Sequence, residues 1–254
     1  MGWVPRADRP AGWGEGGTCV DLDTEDVVVR LVSAPGLPGH EDRVAAVIEE
    51  LWRPHVDQLR RDALGNLIAV VRGEGVITPD GRRAAILWAA HMDEIGLVVT
   101  AIEEDGFLRV DALGGVDPRI LLGQEVVVHG RPEPLPGVVG TKPPHLTTAE
   151  EARRVPRLSD LFIDVGLTAE EVRRRVRIGD PVSIHRHPAR LQGQRLTAAG
   201  LDNRAGVAVL TEALVQLGRR RHQDDGVRRG QGALQHAPCA LEVDGPAGRG
   251  HRDA

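Results

Sequence analysis

The chain has almost no cysteine, no excess of positive charge and no long apolar run. Two cysteines in 254 residues, Cys19 and Cys239, supply no disulfide framework. Both fall in stretches with little structural patterning, so neither reads as a core thiol or a nucleophile. Usage this sparse fits a reducing cytoplasm. The formal net charge is −5, which argues against the broad basic surface that nucleic-acid binding requires. The arginine runs Arg173–Arg175 and Arg219–Arg221 are balanced by nearby acids and read as solvated helix face or tail. The densest apolar run, Ala84 to Ala90, is far shorter than the roughly 20 residues of a membrane span. The glycine-, proline- and tryptophan-rich start lacks the apolar stretch of a secretion signal and reads as a disordered leader over residues 1–20. Hydrophobic residues make up 41% of the chain, enough to form a core.

Residues 21–95 carry helix signals followed by strand signals. Thr24 precedes Glu25 and Asp26 as a helix cap with an acidic first turn, and Pro35 to Gly39 ends that helix. Val44, Val47, Ile48 and Leu51 line one face of a second helix from about Glu41 to Trp52. Asn66–Arg72 reads as a strand. Ala84–Ala90, apolar on both faces, reads as a buried central strand. Together these imply an α/β sheet. From Gly96 to about residue 195 the pattern changes to short strands bounded by glycine and proline, interrupted by one helix at Thr168–Val176. That is the signature of a small β-rich domain inserted into the α/β one. Helical periodicity returns over 196–218, with a helix starting near Asn203. Past Leu217, over 219–254, neither period survives.

Three clusters carry chemistry. His91-Met92-Asp93-Glu94-Ile95-Gly96 follows the apolar run. Open α/β sheets place their ligands at such strand exits. Neutral imidazole is a common metal ligand, and a carboxylate two residues on can orient it. Asp202 opens the late helix in Leu201-Asp202-Asn203-Arg204-Ala205-Gly206. A carboxylate there is a good N-cap, and it can equally bridge two metal ions. Gly140-Thr141-Lys142-Pro143-Pro144-His145 sets a stiff loop within the insert. Taken singly, each is also ordinary polar sequence at an element's end.

In combination and in order, they resemble the tetrahedral aminopeptidases. These are co-catalytic metallopeptidases also described as glutamyl or deblocking aminopeptidases. His91 to Gly96 resembles their first metal motif, and Leu201 to Gly206 their bridging-carboxylate motif. Ser33-Ala34-Pro35-Gly36-Leu37-Pro38-Gly39-His40-Glu41 is similar to their N-terminal signature. Lys142 to His145 together with Asp160 to Asp164 resembles their inserted oligomerisation domain. The resemblance covers about Asp26 to Leu217. It implies an aminopeptidase-type α/β/α sheet domain with an inserted β-rich domain, two divalent ions (zinc or cobalt), peptide substrates and a homo-oligomer formed through the insert. It makes His91 a terminal metal ligand, Asp202 the metal bridge and Asp93 the acidic partner of His91.

The chain departs from the family after Asp202. The family pattern continues with a strand ending in paired glutamates, the general base and a ligand, and no glutamate pair follows Asp202 here. Ala240-Leu241-Glu242-Val243-Asp244-Gly245-Pro246 is similar to the segment carrying a further ligand, which would be Glu242. His222–Gly230 is compatible, by codon choice, with an off-frame reading that forms a good strand. An incomplete sheet domain with an off-frame tail is therefore expected. Three functions stay open: a working aminopeptidase, an inactive relic of one, and an assembly module built on the insert. A carboxypeptidase or deacylase of the same clan would lack the Lys142–His145 segment.

Overall fold

A computed structural model describes residues 23–230 except 74–76, 78, 82–83, 151–152 and 186, and describes no side chains at 144 and 220–230. The expected leader, both cysteines and Glu242 lie outside the described residues. The chain is mixed α/β, as its patterning implies, and it builds two cores.

The first core is helical. Helix α1 (Thr24–Ser33) is capped by Asp23, whose side chain accepts from the amides of Glu25 and Asp26. Asp23, not Thr24, holds the cap position: its extended backbone aims a short carboxylate at the first free amides. Helix α2 (Asp42–Trp52) presents Val44, Ile48 and Leu51 at helical spacing. These pack on Val27 and Leu31 of α1 and on Val207 and Ala208 of α4 (Leu201–Gly230). A buried hydrogen bond, Trp52 Nε1–H to Thr211 Oγ1 at 2.8 Å, ties the end of α2 to the middle of α4. Beside the helices lies an antiparallel hairpin, β1 (Gln58–Arg61) and β2 (Leu67–Val70). Its turn is set by Asp62, which accepts from the amides of Leu64 and Asn66.

The second core is a closed barrel. Its strands are β3 (Gly96–Ile102), β4 (Leu108–Leu113), β5 (Glu125–Val128), β6 (Leu135–Thr141), β7 (Leu161–Asp164) and β8 (Pro181–Ile184). They run in the spatial order β3-β4-β7-β6-β5-β8, with every pairing antiparallel. Alternating inward residues fill it, among them Leu97, Val99, Leu108, Val126, Val128, Val139, Ile163 and Val182. Helix α3 (Ala169–Arg175), with a Thr168–Glu171 capping box, adds Val172 to this core. Closure removes the sheet edges that an open six-stranded sheet would leave unpaired. A short hairpin, β9 (Ala189–Leu191) with β10 (Arg195–Thr197), leads from the barrel to α4.

Two expectations fail. Ala84–Ala90 forms no strand among the described residues, and most of its side chains are exposed: Ile86 is 82% exposed and Leu87 92%. An apolar run becomes a central strand only when strands flank it on both sides, and the described residues provide none. The run joins the helical core only at Ala90 and Met92. The late helix also continues past Leu217 to Gly230. Arginine and glutamine propagate a helix well without an apolar stripe, so lost periodicity does not mark the end.

Candidate metal centre

The loop from Ala90 to Ile95 joins the exposed run to the barrel, and Gly96 marks the junction. A Cβ on Gly96 would lie 2.2 Å from Leu37 Cδ2 and 2.7 Å from the carbonyl oxygen of Val182. The end of the loop is therefore packed closely between the α1–α2 connection and β8.

His91 stands between two carboxylates. Its Nδ1 lies 3.2 Å from Asp93 Oδ1 and its Nε2 lies 3.3 Å from Asp202 Oδ1. The pair is open to solvent: the side chains of His91 and Asp202 are 53% and 97% exposed. Asp202 is not the helix cap. Asp202 and Asn203 both depart from helical torsions, and Asn203 Oδ1 accepts from the amide of Gly206, as a cap does at the third helical residue. With Asn203 occupying that role, the Asp202 carboxylate is left to face His91. Among the described residues, no group of three or more His, Cys, Asp or Glu side chains is disposed to hold one metal ion. The side chains present therefore offer two donors and one orienting carboxylate.

Beneath the pair lies a buried ion pair that the sequence reading did not single out. Arg204 is fully buried, and its Nη2 is 3.2 Å from Glu94 Oε1. Arg204 Nε donates to the carbonyl of Met92 at 3.1 Å, and Nη1 donates to those of Leu31 and Ala34 at 3.0 and 2.7 Å. Burial pushes the Glu94 carboxyl up from its ordinary value, opposed by the Arg204 charge and by the Gly36 amide that it accepts. Burial likewise pulls the Arg204 guanidinium down, and Glu94 opposes it. A sequence signal for this existed: Arg204 stands three, four and seven places before the buried residues Val207, Ala208 and Thr211, on the same face of the helix.

A cavity of about 310 Å³ opens between helices and barrel, lined by Arg43, Glu94, His129, Ser183, His185 and His187 among others. His91 and Asp202 do not line it. His129 Nε2 is 2.9 Å from Ser183 Oγ, and burial, with Arg43 and His40 adding to it, holds His129 below its ordinary value. The expected ligand Glu242 lies outside the described residues, so the structure brings together His91, Asp93 and Asp202 only.

The family follows from comparison with known proteins. A model of the M42 glutamyl aminopeptidase family matches residues 65–227. A relative from Acetivibrio thermocellus is 38% identical over 196 residues, covering 77% of this chain and 54% of that protein. The lysyl aminopeptidase of Pyrococcus furiosus is 30% identical, covering 79% of this chain and 56% of its own length. Among solved structures, the TET aminopeptidase of Thaumarchaeota archaeon SCGC AB-539-E09 superposes with a TM-score of 0.70 at 32% identity, covering 80% of this chain and 55% of that one. A Pyrococcus horikoshii TET1 peptidase, described as assembling into a tetrahedron or a large octahedral shell, superposes with a TM-score of 0.67 at 35% identity, over 78% and 57% of the two chains. The fold is of the aminopeptidase type. This chain belongs to the M42 glutamyl aminopeptidase family and spans about half the length of the relatives it matches.

Proposed function

We propose that the chain carries part of the catalytic centre of a metal-dependent aminopeptidase acting on peptides. In this reading His91 would be a terminal ligand, Asp202 would be shared by two divalent ions (zinc or cobalt), and Asp93 would hold the His91 ring. The observation that carries the reading is the 3.3 Å gap between His91 Nε2 and Asp202 Oδ1, with Asp93 on the other ring nitrogen. Two ligands on one tetrahedral zinc, with bonds of about 2.0–2.2 Å, stand about 3.3–3.5 Å apart. With Nδ1–H donating to Asp93, the Nε2 lone pair faces a carboxylate oxygen, and that arrangement needs a cation between the two, a metal ion or a proton. Asp93 then fixes the tautomer and the ring orientation of the ligand. The residues present thus fit the group as one side of its site; the remaining donors come from elsewhere. When bound, two such ions acidify a water and polarise the scissile carbonyl.

The paired glutamates that the family resemblance calls for do not follow Asp202. A positioned general base contributes about 10²–10⁴-fold to rate, so these 254 residues alone bind metal but turn peptides over poorly. The solved Pyrococcus horikoshii TET1 peptidase, described as assembling into a tetrahedron or a large octahedral shell, supports a second role for the barrel as the surface through which copies of the chain assemble. The low cysteine content fits work in the cytoplasm. Among the described residues, no helix is long and apolar enough to cross a membrane.

The test is purified protein with zinc or cobalt and a panel of aminoacyl-p-nitroanilides. Chelator-sensitive metal uptake with turnover far below the enzyme median of about 10 s⁻¹ supports the reading. Uptake unchanged by His91→Ala, or full turnover without metal, refutes it.

A further inference from the structure

We infer that Arg204 is a positioning residue that sets the register between His91 and Asp202; the inference rests on the metal-site reading above. The two halves of the pair lie on separate segments. Asp202 lies in the non-helical start of α4, and His91 lies in the loop ahead of the barrel. Among the described residues, no backbone hydrogen bond links the two segments directly. Arg204 does so. It sits two residues after Asp202, and its Nε donates at 3.1 Å to the carbonyl of Met92, the residue between His91 and Asp93. The same guanidinium meets Glu94, the residue after Asp93, at 3.2 Å. One side chain therefore grips the metal loop on both sides of Asp93.

The other end of the guanidinium is fixed as firmly. Nη1 donates to the carbonyls of Leu31 and Ala34, and Nη2 reaches that of Gly36 at 3.5 Å. These acceptors lie at and just past the C-terminal end of α1, where helix carbonyls have no partner within the helix and a cation is favoured. Glu94 closes the circuit: its amide donates to Gly36 O at 2.8 Å, and its carboxylate accepts from the Gly36 amide at 3.3 Å. Two glycines make room. A Cβ at Gly36 would meet Val44 Cγ1 at 2.5 Å and Arg204 Nη2 at 3.0 Å. At Gly200, where φ is +69°, a Cβ would meet Glu94 Oε2 at 3.1 Å and Arg204 Nε at 3.3 Å. A planar fork with donors on three sides serves all of these acceptors, and the single ammonium of lysine does not.

His91 and Asp202 are themselves largely exposed, so their separation cannot come from packing of their own side chains. It comes from this buried anchor. Losing it releases the metal loop from the helix start while the helical core, held by Trp52–Thr211 and the apolar contacts, stays formed.

The test compares Arg204→Lys and Glu94→Gln with Thr211→Val, which destabilises the same helix without touching the anchor. Two readouts are taken in the full chain: hydrogen–deuterium exchange of peptides covering residues 89–95, and zinc affinity by competition with a chromophoric chelator. The inference expects faster exchange at 89–95 and zinc affinity weakened about 10–100-fold, the range seen when the outer partners of metal ligands are removed. It expects neither change in Thr211→Val at matched thermal stability. Exchange and affinity in Arg204→Lys and Glu94→Gln no different from Thr211→Val would overturn it. If the unmodified chain takes up no zinc, the metal reading fails and the exchange readout still decides whether Arg204 positions the loop. If Arg204→Lys does not fold, Glu94→Gln decides.

Discussion

His91 Nε2 lies 3.3 Å from Asp202 Oδ1, across a gap between two segments that share no backbone pairing among the described residues. Both side chains are open to solvent, so neither is held there for the sake of the core. His91→Ala and Asp202→Asn should leave the thermal stability of the metal-free chain within about 0.5 kcal/mol of the parent, as exposed substitutions do. Zinc should stabilise the parent by about 2.7 kcal/mol at one hundred times its Kd, and that gain should vanish in both variants. Calorimetric melting with and without zinc measures both quantities. A large loss of stability in the metal-free variants would make the pair structural.

The Trp52–Thr211 hydrogen bond ties α2 to α4 within the helical core. Thr211→Val leaves the indole N–H buried without its partner, at a cost of about 1–3 kcal/mol. Trp52→Phe removes donor and bulk together and should cost more, through the cavity it leaves. Denaturant melts of both variants check this. Equal stability of all three proteins would show that the indole finds another acceptor.

His129 makes stability depend on pH. Burial, with Arg43 and His40 adding to it, holds this imidazole below its ordinary value of 6.5, while Asp180 works the other way. The unfolded chain therefore binds the proton more readily than the folded one. The contribution is complete above about pH 6.5 and is lost as pH falls through the folded value. Thermal melts from pH 7.5 down to 5 should show the parent losing stability faster than His129→Gln, whose amide can still meet Ser183. Parallel curves would remove His129 from the account.

Helix positions were legible because α1, α2 and the start of α4 put apolar residues at a 3.6-residue period, and the barrel strands were legible because they are short and bounded by glycine and proline. Barrel closure was not, since it depends on pairings such as β5 with β8 that no local pattern encodes. Within the site, His91, Asp93 and Asp202 were legible as motif residues. Arg204 was not, because an arginine beside an apartate motif reads as surface until its place on the buried face of α4 is counted. Ala84–Ala90 misled for the opposite reason: its composition specifies a central strand, but a strand's burial is decided by its neighbours.

That exposed run has a practical consequence. Ile86, Leu87 and Trp88 are 82%, 92% and 52% exposed, and contiguous apolar residues of this kind promote association. Leu87→Lys should raise the soluble yield of this chain and leave its melting temperature unchanged. Light scattering and melting of the purified variant test this. A lowered melting temperature would mean that Leu87 is packed in solution.

In the proposed centre His91 and Asp202 share a divalent cation. Cobalt titration followed by visible absorption reads this out, because ligand-field bands report nitrogen and oxygen donors at the metal. The parent chain should give a saturable band, displaced by zinc and absent from both His91→Ala and Asp202→Asn. No band in the parent, or an undiminished band in either variant, would contradict it.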